Sequence, residues 1–205
     1  MTLTQITFFF LMIIAVIGVA MLVHSWIDKG RIRKNFSRLT AELSGKVIQE
    51  NPLVYPRFSG EIGGREFDLF FKVVKAGRQH ILYYIYSVKS ELSSDLLLLK
   101  ADYFKPVADE AGLSETAGGV FPGIDGKYQA RSQHPETAKR LLEEAEILAR
   151  LLPLEEFSSL QLGPDALVVG KPYEGPPDTA PEQILKNAHA LEKLATAIER
   201  CPAAA

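Results

Sequence analysis

One stretch constrains this chain more than any other. From Ile6 to Val23 sixteen of eighteen side chains are apolar, interrupted only by Thr7 and Gly18, and no charged residue occurs between Thr2 and Val23. Wound as a helix, eighteen residues rise about 27 Å, close to the ~30 Å hydrocarbon core of a bilayer, and continuing to Ile27 covers it. Twelve of the eighteen are Leu, Ile, Val or Phe. At about −0.3 to −0.6 kcal/mol each, they favour insertion by about 4 to 7 kcal/mol. A core helix of a soluble protein fits poorly, because such helices rarely run this long without a polar face. A cleaved signal peptide fits poorly too: it needs a basic leading region and a shorter apolar one, and Met1 to Gln5 hold no basic side chain.

The flanks orient this span. Trp26, the only tryptophan, falls at headgroup level and is followed by Lys29, Arg31, Arg33, Lys34 and Arg38, with no acid from 29 to 38. Basic flanks are retained on the cytoplasmic side, which predicts an outside N-terminus and a cytoplasmic chain after residue 28, at the plasma (inner) membrane. The same six residues are the expected membrane-surface contacts, since each basic side chain near anionic lipid gains about 1 kcal/mol.

Outside the span the composition is that of an ordinary globular domain. The whole chain is 47% hydrophobic, with 15 Gly, 12 Pro and one Cys in 205 residues, which excludes a disulfide scaffold, a collagenous repeat and a disordered chain. With one spanning segment, a polytopic transporter is excluded as well. The expected organisation is an anchor over residues 1–28, a basic juxtamembrane segment with a short amphipathic helix over 29–50, a cytoplasmic domain over 51–200, and a frayed end at 201–205. In the second of these Phe36, Leu39, Leu43 and Val47 have helical spacing, and Asn51-Pro52 ends it.

From Tyr55 the apolar period becomes two. The runs 55–62 and 65–74 flank Gly63-Gly64, a pair that supplies the positive φ of a tight hairpin turn. Phe67, Leu69, Phe71 and Val73 share one face of the second run, and Phe70, Lys72 and Val74 the other. A third strand, 80–88, is apolar on both faces and belongs in the middle of a sheet. Residues 96–99 and 126–132 read as further strands, with a Gly- and Pro-bearing stretch between 112 and 126. Pro135 opens a helix whose stripe is Ala138, Leu141, Leu142, Ala145, Leu148 and Leu152. A second hairpin follows at 160–169, then a proline-rich run, then a closing helix to about Arg200. The fold class is α+β: an N-terminal transmembrane helix followed by a mainly antiparallel sheet with helices packed on one face.

Chemistry is sparse. The four histidines are scattered without metal-ligand spacing, Cys201 stands alone before Pro202, and no phosphate loop or nucleophile elbow occurs. No catalytic, cofactor-binding or metal-binding residue is assigned, and no cofactor is expected. Residues 39–205 hold 18 basic and 24 acidic side chains, the wrong sign for nucleic acid. The expected partners are the lipid bilayer and a protein in a membrane complex. The reading that follows is a single-pass membrane protein whose cytoplasmic domain is a non-enzymatic binding, accessory or assembly module. The alternative is a membrane-tethered enzyme with a loop-built site near residues 112–136, drawing on Asp125, His134 or Glu136.

Overall fold

The computed structural model describes residues 3–76, 79–90, 96–100, 119–122, 128–132, 134–163 and 165–201. Its first element, helix α1 (Leu3–Leu39), is a single unbroken helix. Every described side chain from Thr7 to His24 is exposed, and this helix is long and apolar enough to cross a membrane. Its last turns behave differently. Lys29, Ile32, Phe36 and Leu39 are buried along one stripe, while Arg31, Arg33, Lys34 and Arg38 stand on the exposed side.

The separate amphipathic helix expected between residues 36 and 49 does not form. Residues up to Leu39 belong to α1, a turn follows, and Lys46–Ile48 is a short strand, β1. Gly45 and Gly60 explain the change: a methyl group on Gly60 would collide with the Leu43 carbonyl and the Gly45 Cα. The bare backbones therefore approach closely enough for the Glu61 N–H to donate to the Leu43 carbonyl at 2.7 Å. Close backbone approach of this kind is a standard reason for glycine in or beside a strand.

Eight more strands follow: β2 (Arg57–Ile62), β3 (Arg65–Ala76), β4 (Gln79–Lys89), β5 (Leu96–Lys100), β6 (Gly119–Pro122), β7 (Tyr128–Ser132), β8 (Ser159–Leu162) and β9 (Ala166–Pro172). Among the described residues they form one antiparallel sheet in the order β1-β2-β3-β4-β9-β8-β5-β7-β6. Gly63 and Gly64 turn the β2–β3 hairpin with φ of 57° and 78°, the positive values that the Gly-Gly pair predicts. Strand β4 lies inside the sheet between β3 and β9, as its two apolar faces require. Strand β6 lies in the stretch where the sequence suggested no element; the rest of 112–126 is outside the described residues.

Between β7 and β8 run helices α2 (Pro135–Glu143) and α3 (Ala145–Leu151), and the chain closes with α4 (Pro181–Arg200). The single helix expected over 135–152 is broken at Glu144, whose ψ of 117° is extended. That break rotates the buried stripe from Ala138 and Leu141 to Ile147 and Leu151, leaving Leu152 exposed. The helices all pack on one face of the sheet. Phe36 of α1, Leu141 of α2, Ile147 of α3 and Leu191 of α4 share a core with Phe67, Leu69, Tyr84, Tyr86, Leu98 and Val169. Cys201, expected in a frayed end, is buried against the same core, because the last turn of α4 carries it inward beside Ile198.

Candidate functional site

The region that couples the apolar helix to the sheet is built from residues far apart in sequence. The Phe36 ring packs edge-on to Phe58 at 6.3 Å and stacks near Tyr84 at 6.3 Å; Phe71 stacks on Tyr84 at 4.9 Å and meets Tyr55 at 4.6 Å. Each ring adds both buried area and a preferred mutual geometry. Polar ties surround this cluster. The Tyr173 hydroxyl donates to the Asp28 carboxylate at 3.0 Å, the Lys29 amine donates to the Leu53 carbonyl at 2.5 Å and sits 4.9 Å from the Tyr55 ring centre, and Asn35 donates to the Thr179 hydroxyl at 3.2 Å. Burial, then the adjacent Asp28 charge, pushes the Tyr173 and Tyr55 hydroxyls up. Both stay protonated, and Tyr173 therefore remains a donor to Asp28.

Deeper in, Lys171 at the end of β9 bridges two carboxylates, Glu156 at 2.6 Å and Asp178 at 2.9 Å. Glu156 also accepts from Asn187 at 2.8 Å and Gln183 at 2.7 Å, both on α4. Burial alone would raise the Glu156 carboxyl, but hydrogen bonds from Lys171, Asn187 and Gln183 and the lysine charge outweigh it and hold it below its ordinary value. Burial would likewise lower Lys171, and its two acid partners overcome that and raise it. Both groups are driven away from neutral pH, whereas a general acid or base works best when poised near it. The network is thus a charged tie joining β9, the segment before β8, the turn Pro176–Thr179 and α4, with little capacity to move protons. Beside it the Tyr86 hydroxyl accepts from Asn187 at 3.4 Å, and the wholly buried Tyr84 hydroxyl lies next to that of Tyr86.

The opposite face of the sheet carries none of the described helices. There Val74, Tyr83 and Ile85 form a small cluster with Phe70, Ile81 and Val168. A shallow cavity of about 230 Å³ lies on this face, bordered by Lys72, Leu97, Ser159 and Gln161 besides Phe70, Val74, Tyr83, Ile85 and Val168. A second, more open cleft of about 570 Å³ surrounds the Arg65–Glu199 ion pair, which is bidentate at 2.6 Å and joined by the Ser90 hydroxyl.

The residues singled out from the sequence end up in different settings. Trp26, Arg31, Arg33, Lys34 and Arg38 are exposed, with Trp26 at 60%. Lys29 is 9% exposed and turned back onto Leu53 and Tyr55, so it ties helix to domain. His134 and Glu136 are on the surface, Glu136 paired with Lys139 at 3.1 Å, and Asp125 lies outside the described residues. Among the described residues no group of three His, Cys, Asp or Glu could hold a metal. Sequence reasoning missed Lys171, Glu156, Asp178 and Asn187. The one signal was Lys171 at the end of an otherwise apolar strand, a charge placed where burial demands a partner.

No family model matches this sequence, and no curated protein sequence matches it. By shape, the chain is similar to the crystal structure of the mycobacterial trehalose monomycolate transport factor A, TtfA. The TM-score is 0.58 at 10% identity, and the match covers 84% of this chain and 94% of that one. At that identity the likeness is one of fold: a sheet backed by helices, shared across most of both chains.

Proposed function

We propose that this chain is a single-pass membrane protein, oriented by residues 29–38 with its N-terminus outside, whose α+β domain serves as a non-enzymatic accessory or assembly module at the inner membrane. The observation that carries the reading is the continuity of α1. The helix passes unbroken from a wholly exposed apolar stretch into the hydrophobic core of the domain, a mounting that holds a surface at a fixed place beside the bilayer. The described ionisable cluster is held in ion pairs and hydrogen bonds rather than poised for turnover, which favours binding over catalysis. A solved structure of similar fold is that of a transport factor, in keeping with an accessory role here. The Phe70–Val168 face is the surface offered to the protein partner, with residues 1–28 as the anchor.

A photo-crosslinking residue in place of Lys72, in the full chain expressed in its own membranes, tests the binding role. The expected result is one discrete heavier species containing a second protein. Recovery of self alone, or of no adduct, overturns it. Orientation is checked by thiol labelling with an impermeant reagent, which should reach Thr4→Cys from outside and Lys193→Cys only after lysis.

A further inference from the structure

We propose that residues 48–54, the last residue of β1 and the loop that follows it, form a second membrane contact that docks the domain onto an anionic bilayer surface beside the helix. The inference rests on α1 being a transmembrane anchor, and its test separates the two. Three exposed apolar side chains lie on this segment: Leu53 at 69% and Val54 at 44% on the loop, and Ile48 at 41% at the end of β1. On a water-facing loop such a group has no purpose, whereas at a lipid headgroup boundary it would gain free energy by burial.

Contacts between loop and helix fix the loop's level. Lys29 donates to the Leu53 carbonyl and lies over Tyr55, and Tyr55 meets Tyr173, which holds Asp28. The loop therefore sits beside the helix turn that follows Trp26, where a span ending near Ile27 meets the headgroups. Two rulers agree on the direction away from the membrane. From Lys29 to Leu39 the helix climbs about 15 Å at 1.5 Å per residue. Strand β2 climbs about 13 Å from Arg57 to Glu61 at ~3.3 Å per residue, and Glu61 is where the chain just beyond α1 is hydrogen-bonded through Leu43. The two elements run side by side, which puts the start of β2 and the loop before it at the bilayer end of the domain, the end toward which β3 also runs from Leu69 to Ala76.

The backbone of the loop is prepared for a medium of low polarity. The Leu53 N–H donates to the Asn51 side-chain oxygen at 2.9 Å and the Val54 N–H to the Asn51 carbonyl at 3.2 Å. The Leu53 carbonyl accepts from Lys29, and the Val54 carbonyl from Gln49 at 2.8 Å. Leu53 and Val54 thus have donor and acceptor satisfied within the protein, the condition for leaving water without an unpaired peptide group. Arg31, Arg33 and Lys34, exposed on the adjoining helix surface, supply the charge that favours anionic headgroups. Another segment at this level, 173–178, exposes Glu174 as the loop exposes Glu50, but it carries no exposed large apolar side chain, so the Leu53 side is the one that docks.

The test uses the full chain in a Cys201→Ser background, with Leu53→Cys carrying an environment-sensitive dye. It is reconstituted into vesicles of phosphatidylcholine with one-third phosphatidylglycerol. The expected result is a blue-shifted emission that doxyl-labelled lipid quenches at position 53, while the dye on Glu66→Cys, at the far end of the hairpin, reports water. Val54→Cys provides an independent second site. Position 53 and position 54 both as water-exposed as position 66, in protein that resists alkaline extraction, overturns the docking loop alone. Protein that washes off the vesicles overturns the anchor on which it rests.

Discussion

The two halves of α1 share one secondary structure and meet two different surroundings. From Thr7 to His24 apolar residues occupy every side of the helix and every described side chain is exposed. From Lys29 to Leu39 apolar residues follow a three- and four-residue spacing, and only that stripe is buried, against the sheet. A helix apolar all round has no preferred neighbour within its own chain and needs lipid; a striped helix has one preferred neighbour, the face that matches it. The boundary between the two is marked by Asp28 and Lys29, whose charges are both taken up by the domain.

Substitutions on either side of that boundary should therefore have unequal effects. The largest is expected for Phe36→Ala, which empties a fully buried aromatic site. Its cost is about 3 to 5 kcal/mol of domain stability, read by denaturant unfolding of the full chain in detergent micelles, with resistance to alkaline extraction unchanged. A loss of membrane attachment instead would mean that the halves are not independent.

Next comes Lys171→Met, which leaves Glu156 and Asp178 facing each other without their cation and should cost about 3 kcal/mol. Its pH dependence is distinctive. The Glu156 pKa is lowered on folding, so its contribution is present above the ordinary 4.5 and is lost as pH falls through the lower folded value. The Lys171 pKa is raised, so its contribution is present below 10.5 and is lost as pH rises through the higher folded value. The wild-type domain should lose stability below pH 4.5, and the Met variant should show a shallower acid limb in the same unfolding titration.

Smaller effects lie at the boundary itself. Tyr173→Phe removes the donor to Asp28 and should cost about 1.5 kcal/mol, the usual scale for a hydrogen bond to a charged group. Tyr84→Phe removes a wholly buried hydroxyl that lies beside the Tyr86 hydroxyl and should change domain stability by less than about 1 kcal/mol. Smallest of all is Val16→Ala in the exposed apolar half, expected to change domain unfolding by less than about 0.5 kcal/mol. A larger change there would show that the span packs on the domain.

Much of the architecture was legible because it depends on local period. Alternation in β3 assigned Phe67, Leu69, Phe71 and Val73 to one face and Phe70, Lys72 and Val74 to the other; the structure packs the first three in the helix-covered core and Phe70 and Val74 in the opposite cluster, but leaves Val73 exposed toward the strand end. Strand β1 was missed because three residues cannot display a period, and the break at Glu144 because nothing in a run of good helix formers marks it. The Lys171 network was hidden for another reason: its members come from β9, the segment before β8, the 176–179 turn and α4, and no spacing in sequence records their convergence.

By itself, the sequence determined the solvent of each segment: the uniformly apolar stretch is suited to lipid, the alternating runs to a sheet with a buried face, and Gly63-Gly64 to a tight turn. These follow from side-chain hydrophobicity and backbone sterics acting over a few residues. Tertiary structure alone decided the strand order that sets β9 beside β4, the continuation of α1 to Leu39, and the turning of Lys29 from the bilayer to Leu53. Those outcomes depend on which faces fit one another across long chain separations, where the free energy of packing, rather than local preference, selects the arrangement.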